Sequence, residues 1–274
     1  MLYVPASRTE KLDKMASLAA DAFVIDLEDG VSASEKPAAR QRLLDGWPFG
    51  LPPEKAWLRV NGDDDGLAAD LELIARLRPS WVVLPKVEQV ERVAHVCRHV
   101  ADWETRVGLM IETATGVTRV RELAAVAPQV SALIVGSADL ARSMGARPDE
   151  ERQWEHVLLS EIVLAARTHD LLAIDSVYFH FRDETGLERH ATLARRLGYD
   201  AKSCIHPDQL ATIHRVFSPT PDERRWAERV AEEWVRQDGD RAGVVVVDGE
   251  MIEALHLELA REILSRAETG DGSE

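Results

Sequence analysis

Cysteine, positive charge and long hydrophobic segments are all scarce in this chain of 274 residues. Its two cysteines, Cys97 and Cys204, lie far apart and lack metal-ligand spacing, which excludes a disulfide framework and a zinc site. The formal net charge of -15 argues against nucleic acid and anionic membranes as general partners, because it repels phosphate groups. No apolar segment approaches the ~20 residues of a membrane span, and the strand-like start leaves no room for a signal peptide, so we expect a cytoplasmic protein.

The chain also lacks a glycine fingerprint after its first apolar segment, which ends in Pro5-Ala-Ser-Arg. What it has is an eightfold alternation of a short apolar, β-type segment with a segment of helical period. The predicted strands are 2–5, 22–27, 57–60, 81–84, 107–111, 132–135, 171–177 and 201–205. This repeat favours a TIM (β/α)₈ barrel over residues 1–217, with a doubly wound open sheet as the structural alternative.

A C-terminal extension over residues 218–274 breaks the repeat. The sequence predicts a charged helix over 223–237 with Trp226, Val230 and Trp234 on one face, then a short strand and turn over 243–249. A last helix over 252–267 and a polar, frayed tail over 268–274 follow. Because a barrel closes without this extension, we expect its apolar face to be buried on the barrel flank or against another subunit.

Two acidic residues, Glu112 and Asp139, follow the predicted strands 107–111 and 132–135. The ends of adjacent parallel strands lie about 4.8 Å apart, so these two carboxylates could share a divalent cation such as Mg²⁺. Helix capping, or solvation in a loop, is the alternative for each of them.

Ionisable and polar residues follow every predicted strand, at the end where barrel enzymes carry their active sites. They are Arg8, Asp26, Glu28, Asp29, Arg59, Asn61, Lys86, Glu88, Glu112, Ser137, Asp139, Asp175 and His206. The acids could hold a metal, and Arg59 with Asn61 could hold a carboxylate. This combination suggests a metal-bound, anionic oxo-acid.

Nine segments resemble one known family. They are LYVPASRTEKLDKM, FVIDLEDGVSASEKPAAR, LRVNG, VLPKVE, GLMIETATGV, ALIVGSADLA, AIDSV, CIHPDQ and VVDGEMIEA. In this order they resemble the citrate lyase β-subunit group of the HpcH/HpaI aldolase superfamily, which includes malyl-CoA and citramalyl-CoA lyases. The resemblance runs from Leu2 to about Ala260.

The resemblance implies a metal and substrate site. By it, Glu112 and Asp139 ligate Mg²⁺, with Mn²⁺ as an alternative metal, and Arg59 binds the carboxylate of the oxo-acid. The backbone amides at Asp139 and Leu140 would help to seat the oxo-acid, in accord with the free N–H groups of a helix start.

Four further residues receive roles around this site. Glu28 and Asp29 would hold metal-bound water or orient Arg59, with helix capping as an equal alternative. The family's thioester partner is coenzyme A or an acyl-carrier group, and we expect Arg8 and Lys36 to bind its phosphates.

The implied activity is that of a Mg²⁺-dependent carbon–carbon lyase. It would cleave a citryl-, malyl- or citramalyl-type 3-hydroxyacyl thioester to oxaloacetate, glyoxylate or pyruvate and an acetyl thioester. In malyl-CoA-type relatives the acid/base is an aspartate of a Met-x-Asp segment that reaches a neighbouring subunit, which implies a homotrimer or other homo-oligomer. Here the segment is Met251-Ile252-Glu253, so Glu253 either takes that role or is an ordinary first-turn helix acid.

Other functions stay open at this point. The chain could run the reverse condensation or hydrolyse the thioester, or it could be a CoA-free aldolase, which the extension argues against. It could also be a metal- and oxo-acid-binding subunit of a larger complex. The sequence does not choose among the three hydroxyacyl thioesters, because they differ by small groups.

Overall fold

The computed structural model describes residues 1–149 and 151–271. It divides into two compact units, Met1–Ile213 and His214–Glu274. This division falls close to the boundary predicted after residue 217. Within the described residues, no helix has both the length and the apolar character that crossing a membrane requires.

A single parallel sheet of eight strands forms the centre of the first unit. Its strands are β1 (Leu2–Pro5), β2 (Phe23–Asp26), β3 (Ala56–Arg59), β4 (Trp81–Leu84), β5 (Arg106–Ile111), β6 (Val130–Val135), β7 (Leu172–Asp175) and β8 (Ala201–Lys202). They pair in the order of the sequence, from β1 to β8. The predicted α/β architecture with eight parallel strands is therefore confirmed.

The strands are buried because their side chains are apolar on both faces. All four residues of β2, β3 and β4 are buried, as expected for parallel strands covered by helices. Val24, Val83 and Ile134 belong to one core cluster. In the same cluster the rings of Trp57 and Trp81 stack with centroids 3.9 Å apart.

Helices connect these strands. They are α1 (Thr9–Lys14), α2 (Lys36–Gly46), α3 (Asp64–Leu77), α4 (Val90–His99), α5 (Ala114–Thr118), α6 (Val120–Ala124), α7 (Ser137–Met144), α8 (His156–Thr168), α9 (Glu184–Leu197) and α10 (Leu210–Phe217). Two helices, α7 and α8, lie between β6 and β7, where the eightfold repeat predicts one helical segment. Two short helices, α5 and α6, likewise lie between β5 and β6, where the repeat predicts one helical segment.

Backbone hydrogen bonds join the first strand to the segment that follows the last one. The amide of Tyr3 donates to the carbonyl of Cys204 at 2.9 Å, and the amide of Cys204 donates to the carbonyl of Met1 at 2.8 Å. Leu2 and Cys204 form an isolated parallel bridge. The two ends of the sheet are thus in direct contact at this point.

The second unit has its own core. Its elements are α11 (Pro221–Arg236), α12 (Gly239–Ala242), the antiparallel pair β9 (Val244–Val247) and β10 (Glu250–Glu253), and α13 (Ala254–Asp271). Val230 and Trp234 of α11 pack with Val245, Ile252 and Leu257, and Trp226 packs at the edge of this cluster.

This packing corrects two predictions for the extension. The apolar face of α11 is buried within the extension itself, whereas we expected the barrel flank or another subunit to cover it. The last helix begins at Ala254, because Glu250–Glu253 forms a strand, and it continues to Asp271. Residues 272–274 of the predicted frayed tail lie outside the described residues.

Candidate active site

Glu112 and Asp139 follow neighbouring strands in register. Ile111 of β5 pairs with Val135 of β6, so the residues that follow each strand emerge at the same edge of the sheet. Glu112 is only 2% exposed, whereas Asp139 lies in the first turn of α7 and forms an ion pair with Arg142 at 2.7 Å. The structure therefore brings the two predicted metal ligands to the same edge of the sheet, with Glu112 buried and Asp139 half-buried.

The carboxyl group of Glu112 is poorly compensated. Burial is the main cause that raises its pKa to about 7, and the negative charge of Glu28 adds to this effect. The backbone amide of Lys86 donates to Glu112 Oε1 at 2.7 Å and acts in the opposite direction. Asp139 is among the charges that raise this pKa, which indicates that the two acids repel each other.

Gly136 makes the close approach of Glu112 to α7 possible. A Cβ atom on Gly136 would overlap Glu112 Oε2 and would lie 2.6 Å from Glu112 Cβ. Real Cβ atoms do not come so close to other heavy atoms. A residue without a side chain is therefore required where β6 turns into α7.

Arg59, the predicted carboxylate ligand, already binds a carboxylate of the protein. Its Nε and Nη2 atoms each donate to Asp26 at 2.7 Å, and both side chains are buried. Its guanidinium lies over the ring of Tyr3, 5.2 Å from the centroid. The structure thus differs from the prediction, because Asp26 occupies one two-pronged edge of Arg59, and the remaining side, at Nη1, donates to Met110 Sδ at 3.7 Å.

Glu28 faces that remaining side. Its Oε2 atom lies 3.0 Å from Arg59 Nη1 without hydrogen-bond geometry, and it is buried without a hydrogen bond from the described residues. Its Oε1 atom accepts a hydrogen bond of 2.5 Å from Lys86 Nζ. Burial raises the pKa of Glu28, and Arg59 and Lys86 lower it. Asp29 contacts Lys86 at 3.2 Å, so Glu28 contacts Arg59 directly, whereas Asp29 has its ion pair with Lys86.

The amides at the start of α7 divide into two groups. The amide of Leu140 donates to the carbonyl of Gly136 at 3.0 Å, and the Leu140 side chain is fully buried. The prediction that this amide seats the oxo-acid is therefore corrected, because it belongs to the helix. The amides of Ser137, Ala138 and Asp139 precede this first intrahelical bond and point from the helix start.

The two predicted phosphate ligands differ in their surroundings. Arg8 is exposed, directly before α1. Lys36 is half-buried at the start of α2, and its Nζ donates to the side-chain oxygen of Asn61. Asn61 in turn donates from its side chain to the buried carboxylate of Asp70 at 2.6 Å. The expected use of Asn61 as a substrate ligand is thus wrong, since it bridges α2 and α3.

A second buried polar cluster, which we call the β7–β8 network, lies at the ends of those strands. Asp175 accepts from Arg152 Nη2 at 2.7 Å and from Lys202 Nζ at 2.6 Å. Lys202 also lies 2.7 Å from His190 Nδ1, and Arg152 Nε bonds Glu155 at 2.5 Å. Asp175, Arg152, Lys202 and Glu155 are fully buried, and His190 is the more exposed fifth member.

The electrostatics of the network follow from its burial. Burial lowers the pKa of Lys202 to about 8 and, together with the Lys202 charge, that of His190 to about 3. The cations Lys202 and Arg152 hold the pKa of Asp175 well below its usual range, against the effect of burial.

Only Asp175 of this network was singled out from the sequence. One sequence feature could have indicated the network. Lys202 lies in an apolar segment, directly before Ser203-Cys204, and a buried lysine needs a partner. No sequence pattern indicated a role for Arg152, because it lies in an irregular segment, where its backbone φ angle is 58°.

Glu253 lies in the second unit. It ends β10 and is exposed, and its backbone amide donates to His256 Nδ1 at 3.0 Å. It is therefore a strand-end residue directly before α13, and the alternative of a first-turn helix acid is wrong. Asp248, in the turn that precedes it, forms an ion pair with Arg229 at 2.7 Å.

The residues around Glu112 fit a divalent cation with few protein ligands. Among the described residues, no group of three or more His, Cys, Asp or Glu side chains is arranged to hold a metal. Two carboxylates suit Mg²⁺, which keeps several water or substrate ligands. The raised pKa of Glu112 indicates negative charge that the protein does not fully compensate, which a cation here would neutralise.

Comparisons with known proteins agree with this picture. The family model described as HpcH/HpaI aldolase/citrate lyase matches residues 1–207. A (3S)-malyl-CoA thioesterase of Cereibacter sphaeroides is 38% identical over 98% of this chain and 94% of its own length. A mitochondrial citramalyl-CoA lyase of Rattus norvegicus is 34% identical over 97% of this chain and 85% of its own. The crystal structure of CitE from Mycobacterium tuberculosis with magnesium, acetoacetate and coenzyme A superposes with a TM-score of 0.82 at 33% identity, covering 97% of both chains.

Proposed function

The chain belongs to the HpcH/HpaI aldolase/citrate lyase family, and we propose that it is a Mg²⁺-dependent carbon–carbon lyase. Its substrate is a citryl-, malyl- or citramalyl-type 3-hydroxyacyl thioester, and its products are an oxo-acid and an acetyl thioester. The observation that carries the proposal is the pair Glu112 and Asp139 at the ends of the neighbouring strands β5 and β6. Relatives with lyase and thioesterase activity, and a relative that binds magnesium and coenzyme A, support it.

We assign the metal to Glu112 and Asp139, with Mn²⁺ as an alternative to Mg²⁺. When bound, the cation supplies Lewis-acid stabilisation of the negative oxygen that develops on the reacting carbon. The amides of Ser137, Ala138 and Asp139 donate to the oxo-acid, and the positive charge of Arg59 attracts its carboxylate. Asp26 holds Arg59 in place by its two-pronged contact, and Glu28 and Lys86 set the charge beside it.

The thioester needs a binding site and a proton donor. We propose that Arg8 and Lys36 bind the phosphates of coenzyme A or of an acyl-carrier group. Glu253 protonates the carbon that becomes the acetyl methyl group, from a neighbouring copy of the chain. The protein is then a homo-oligomer, for which we propose a homotrimer. Exposed apolar side chains of the extension, such as Val246, Met251 and Leu255, support such an association.

The finer architecture of the sheet is also a proposal. We infer a closed (β/α)₈ barrel, because a bridge between Leu2 and Cys204 joins the first strand to the segment directly after the last one. Closure would place all eight strand ends around one site, where barrel enzymes carry their catalytic residues.

Thioester hydrolysis is the second candidate function. The malyl-CoA thioesterase relative favours it. In that reaction the same site would bind the acyl group, and water would release the thiol. The reverse condensation uses the same residues in the opposite direction.

The test is an assay of the purified full chain with malyl-, citramalyl- and citryl-CoA, with Mg²⁺ and with EDTA. We expect Mg²⁺-dependent formation of acetyl-CoA together with an oxo-acid. Free coenzyme A without an oxo-acid would instead identify a thioesterase. Mg²⁺-dependent binding of an oxo-acid without turnover of any thioester would contradict the lyase proposal and would favour a binding subunit.

A further inference from the structure

A cavity of about 540 Å³ opens beside the start of α7. One wall is formed by Ser137 and Ala138, the first two residues of that helix. The cavity is also lined by Trp154, from the segment before α8, and by Val177 and Phe179, which follow β7. An apolar cavity of about 150 Å³ is large enough for a benzene ring, so this one accepts a substituent of that size.

The cavity adjoins the proposed metal site. Ser137 and Ala138 directly precede Asp139, and their amides are the ones we assign to the oxo-acid. A substrate held by these amides and by a metal on Asp139 therefore borders the cavity. In the citryl-, malyl- and citramalyl-type substrates, the group that varies is the substituent on the carbon that carries the hydroxyl.

The charges of the cavity disfavour an anionic substituent. Among the described residues that line it, three are acids, Asp149, Glu155 and Asp183, and one is an arginine, Arg152. With histidines neutral, the lining carries a formal charge of -2, from one positive and three negative groups. A carboxylate that entered this cavity would therefore be repelled.

The single arginine of the lining is not available to a ligand. Arg152 is 1% exposed, and it bonds Glu155 at 2.5 Å and Asp175 at 2.7 Å. His190, also in the lining, stays neutral because burial and the Lys202 charge lower its pKa to about 3. His180 completes the ionisable lining and is exposed. What the cavity offers a substituent is thus mainly the aromatic and apolar surface of Trp154, Val177 and Phe179.

We propose that this cavity binds an uncharged, apolar substituent on the hydroxyl-bearing carbon of the substrate. The inference rests on the proposed function and narrows its substrate class to citramalyl-type thioesters and homologues with larger alkyl or aryl groups, rather than citryl-type ones. In the reaction, the bond between the hydroxyl-bearing carbon and the CH₂ next to the thioester breaks. Its electron pair moves to that CH₂, which gains a proton, and the hydroxyl loses one, so the products are a 2-oxo acid with the apolar group and an acetyl thioester.

Calorimetry of the full chain with 2-oxo acids at pH 8 tests this without turnover. Pyruvate, oxaloacetate, 2-oxo-4-methylpentanoate and phenylpyruvate are titrated with Mg²⁺ and with EDTA. We expect the two larger apolar acids to bind about tenfold more tightly than pyruvate, and oxaloacetate to bind less tightly than pyruvate. If oxaloacetate binds most tightly, or the larger acids bind tenfold more weakly than pyruvate, the inference is overturned while the proposed function stands. If none of the acids binds in a Mg²⁺-dependent way, the proposed function fails as well.

Two variants locate the effect in the cavity. Val177→Trp fills it and should reduce the preference for phenylpyruvate over pyruvate at least tenfold. Val157→Trp is the matched control, since Val157 is 73% exposed on α8 and does not line the cavity, and its preference should equal that of the parent. Should Val177→Trp fail to fold, Phe179→Ala removes an exposed wall residue and should reduce the same preference about threefold or more. A parent-like preference in the folded wall variants would refute the assignment.

Discussion

The carboxylate of Glu112, which we propose as a metal ligand, lowers the stability of the metal-free fold when it is charged. Burial and Glu28 raise its pKa to about 7, so its charged form is disfavoured in the folded protein. A shift of this size from the usual value near 4.5 corresponds to roughly 3 kcal/mol of destabilisation once the group is charged. A bound cation would offset this penalty, because opposite charge favours the carboxylate.

The variant Glu112→Gln should therefore separate binding from stability. At pH 8 we expect it to abolish Mg²⁺-dependent binding of pyruvate in calorimetry and to raise the Tm of the metal-free protein by about 5 °C. Gln keeps the oxygen that accepts from Lys86 and removes the charge. Glu122→Gln, an exposed acid paired with Arg119, should change neither quantity.

The gain in Tm expected for Glu112→Gln should depend on pH. Because the pKa of Glu112 is higher in the folded than in the unfolded state, the folded state binds more protons between about pH 4.5 and 7. The contribution of this group to stability is therefore most favourable below that window and is lost as the pH rises through it. At pH 5 the Tm of Glu112→Gln should match that of the parent, and an equal gain at both pH values would contradict the titration of Glu112.

Arg59 is held by Asp26, and this contact makes a lysine an inadequate replacement. Arg59→Lys cannot reproduce the two-pronged bond, so it leaves Asp26 and Glu28 less compensated. We expect pyruvate affinity in the presence of Mg²⁺ to fall more than tenfold. Arg40→Lys is the matched control, since Arg40 also pairs with a buried acid, Asp70, and it should leave this affinity within twofold of the parent.

At the scale of elements, the junction of β6 and α7 determines where the proposed metal ligands lie. Gly136 directly precedes α7, and Asp139 lies in the first turn of that helix. Because Glu112 packs directly on Gly136, the two ligands and the helix start form one local unit. A change at Gly136 is therefore transmitted to the metal site without altering a ligand.

The variant Gly136→Ala tests this unit. Its Cβ would displace Glu112, and we expect Mg²⁺ affinity to fall about tenfold or more, measured by calorimetry. Gly145→Ala, at the other end of α7, serves as the comparison. Gly145 has φ 65° and open space around it, so alanine there should cost about 1 kcal/mol of stability and leave Mg²⁺ affinity unchanged. Equal effects of the two variants on the metal would contradict the role of Gly136.

At the scale of the whole first unit, the β7–β8 network ties the last two strands to the segments around them. Lys202 reaches Asp175 of β7, the carbonyl of Ser176 and the ring of His190 in α9. Arg152 links the same acid to Glu155, which accepts from Ser137 at the start of α7 at 2.6 Å. These contacts connect the strand ends furthest along the chain to the proposed metal site.

The variant Lys202→Met should destabilise the protein by about 3 to 5 kcal/mol, because it leaves Asp175 buried beside fewer cations. Chemical denaturation measures this loss. Lys14→Met, at an exposed position of α1, should change the free energy of unfolding by less than about 0.5 kcal/mol. A loss below about 1 kcal/mol for Lys202→Met would show that the network is not structurally important.

Much of the architecture could be predicted from the sequence. Segments such as Trp81–Leu84 are apolar throughout, and only strands covered on both faces accept such a pattern. The division of the segment between β6 and β7 into two helices, α7 and α8, was not predicted, because hydrophobic periodicity does not show where one helix ends and the next begins. The two acids Glu112 and Asp139 were found because the residues that follow neighbouring parallel strands necessarily emerge at one edge.

The sequence by itself determined the order of strands and helices and the edge at which the ionisable residues gather, because hydrophobic periodicity is local and strand direction follows from the connections. Only the tertiary structure decided which of those residues are already paired. Asp26 accepts hydrogen bonds from one edge of Arg59, and Asp70 accepts one from Asn61. The carbonyl of Gly136 accepts from the amide of Leu140. Such pairings depend on distances between side chains remote in sequence, and the same holds for the cavity beside Ser137, whose walls come from separate segments.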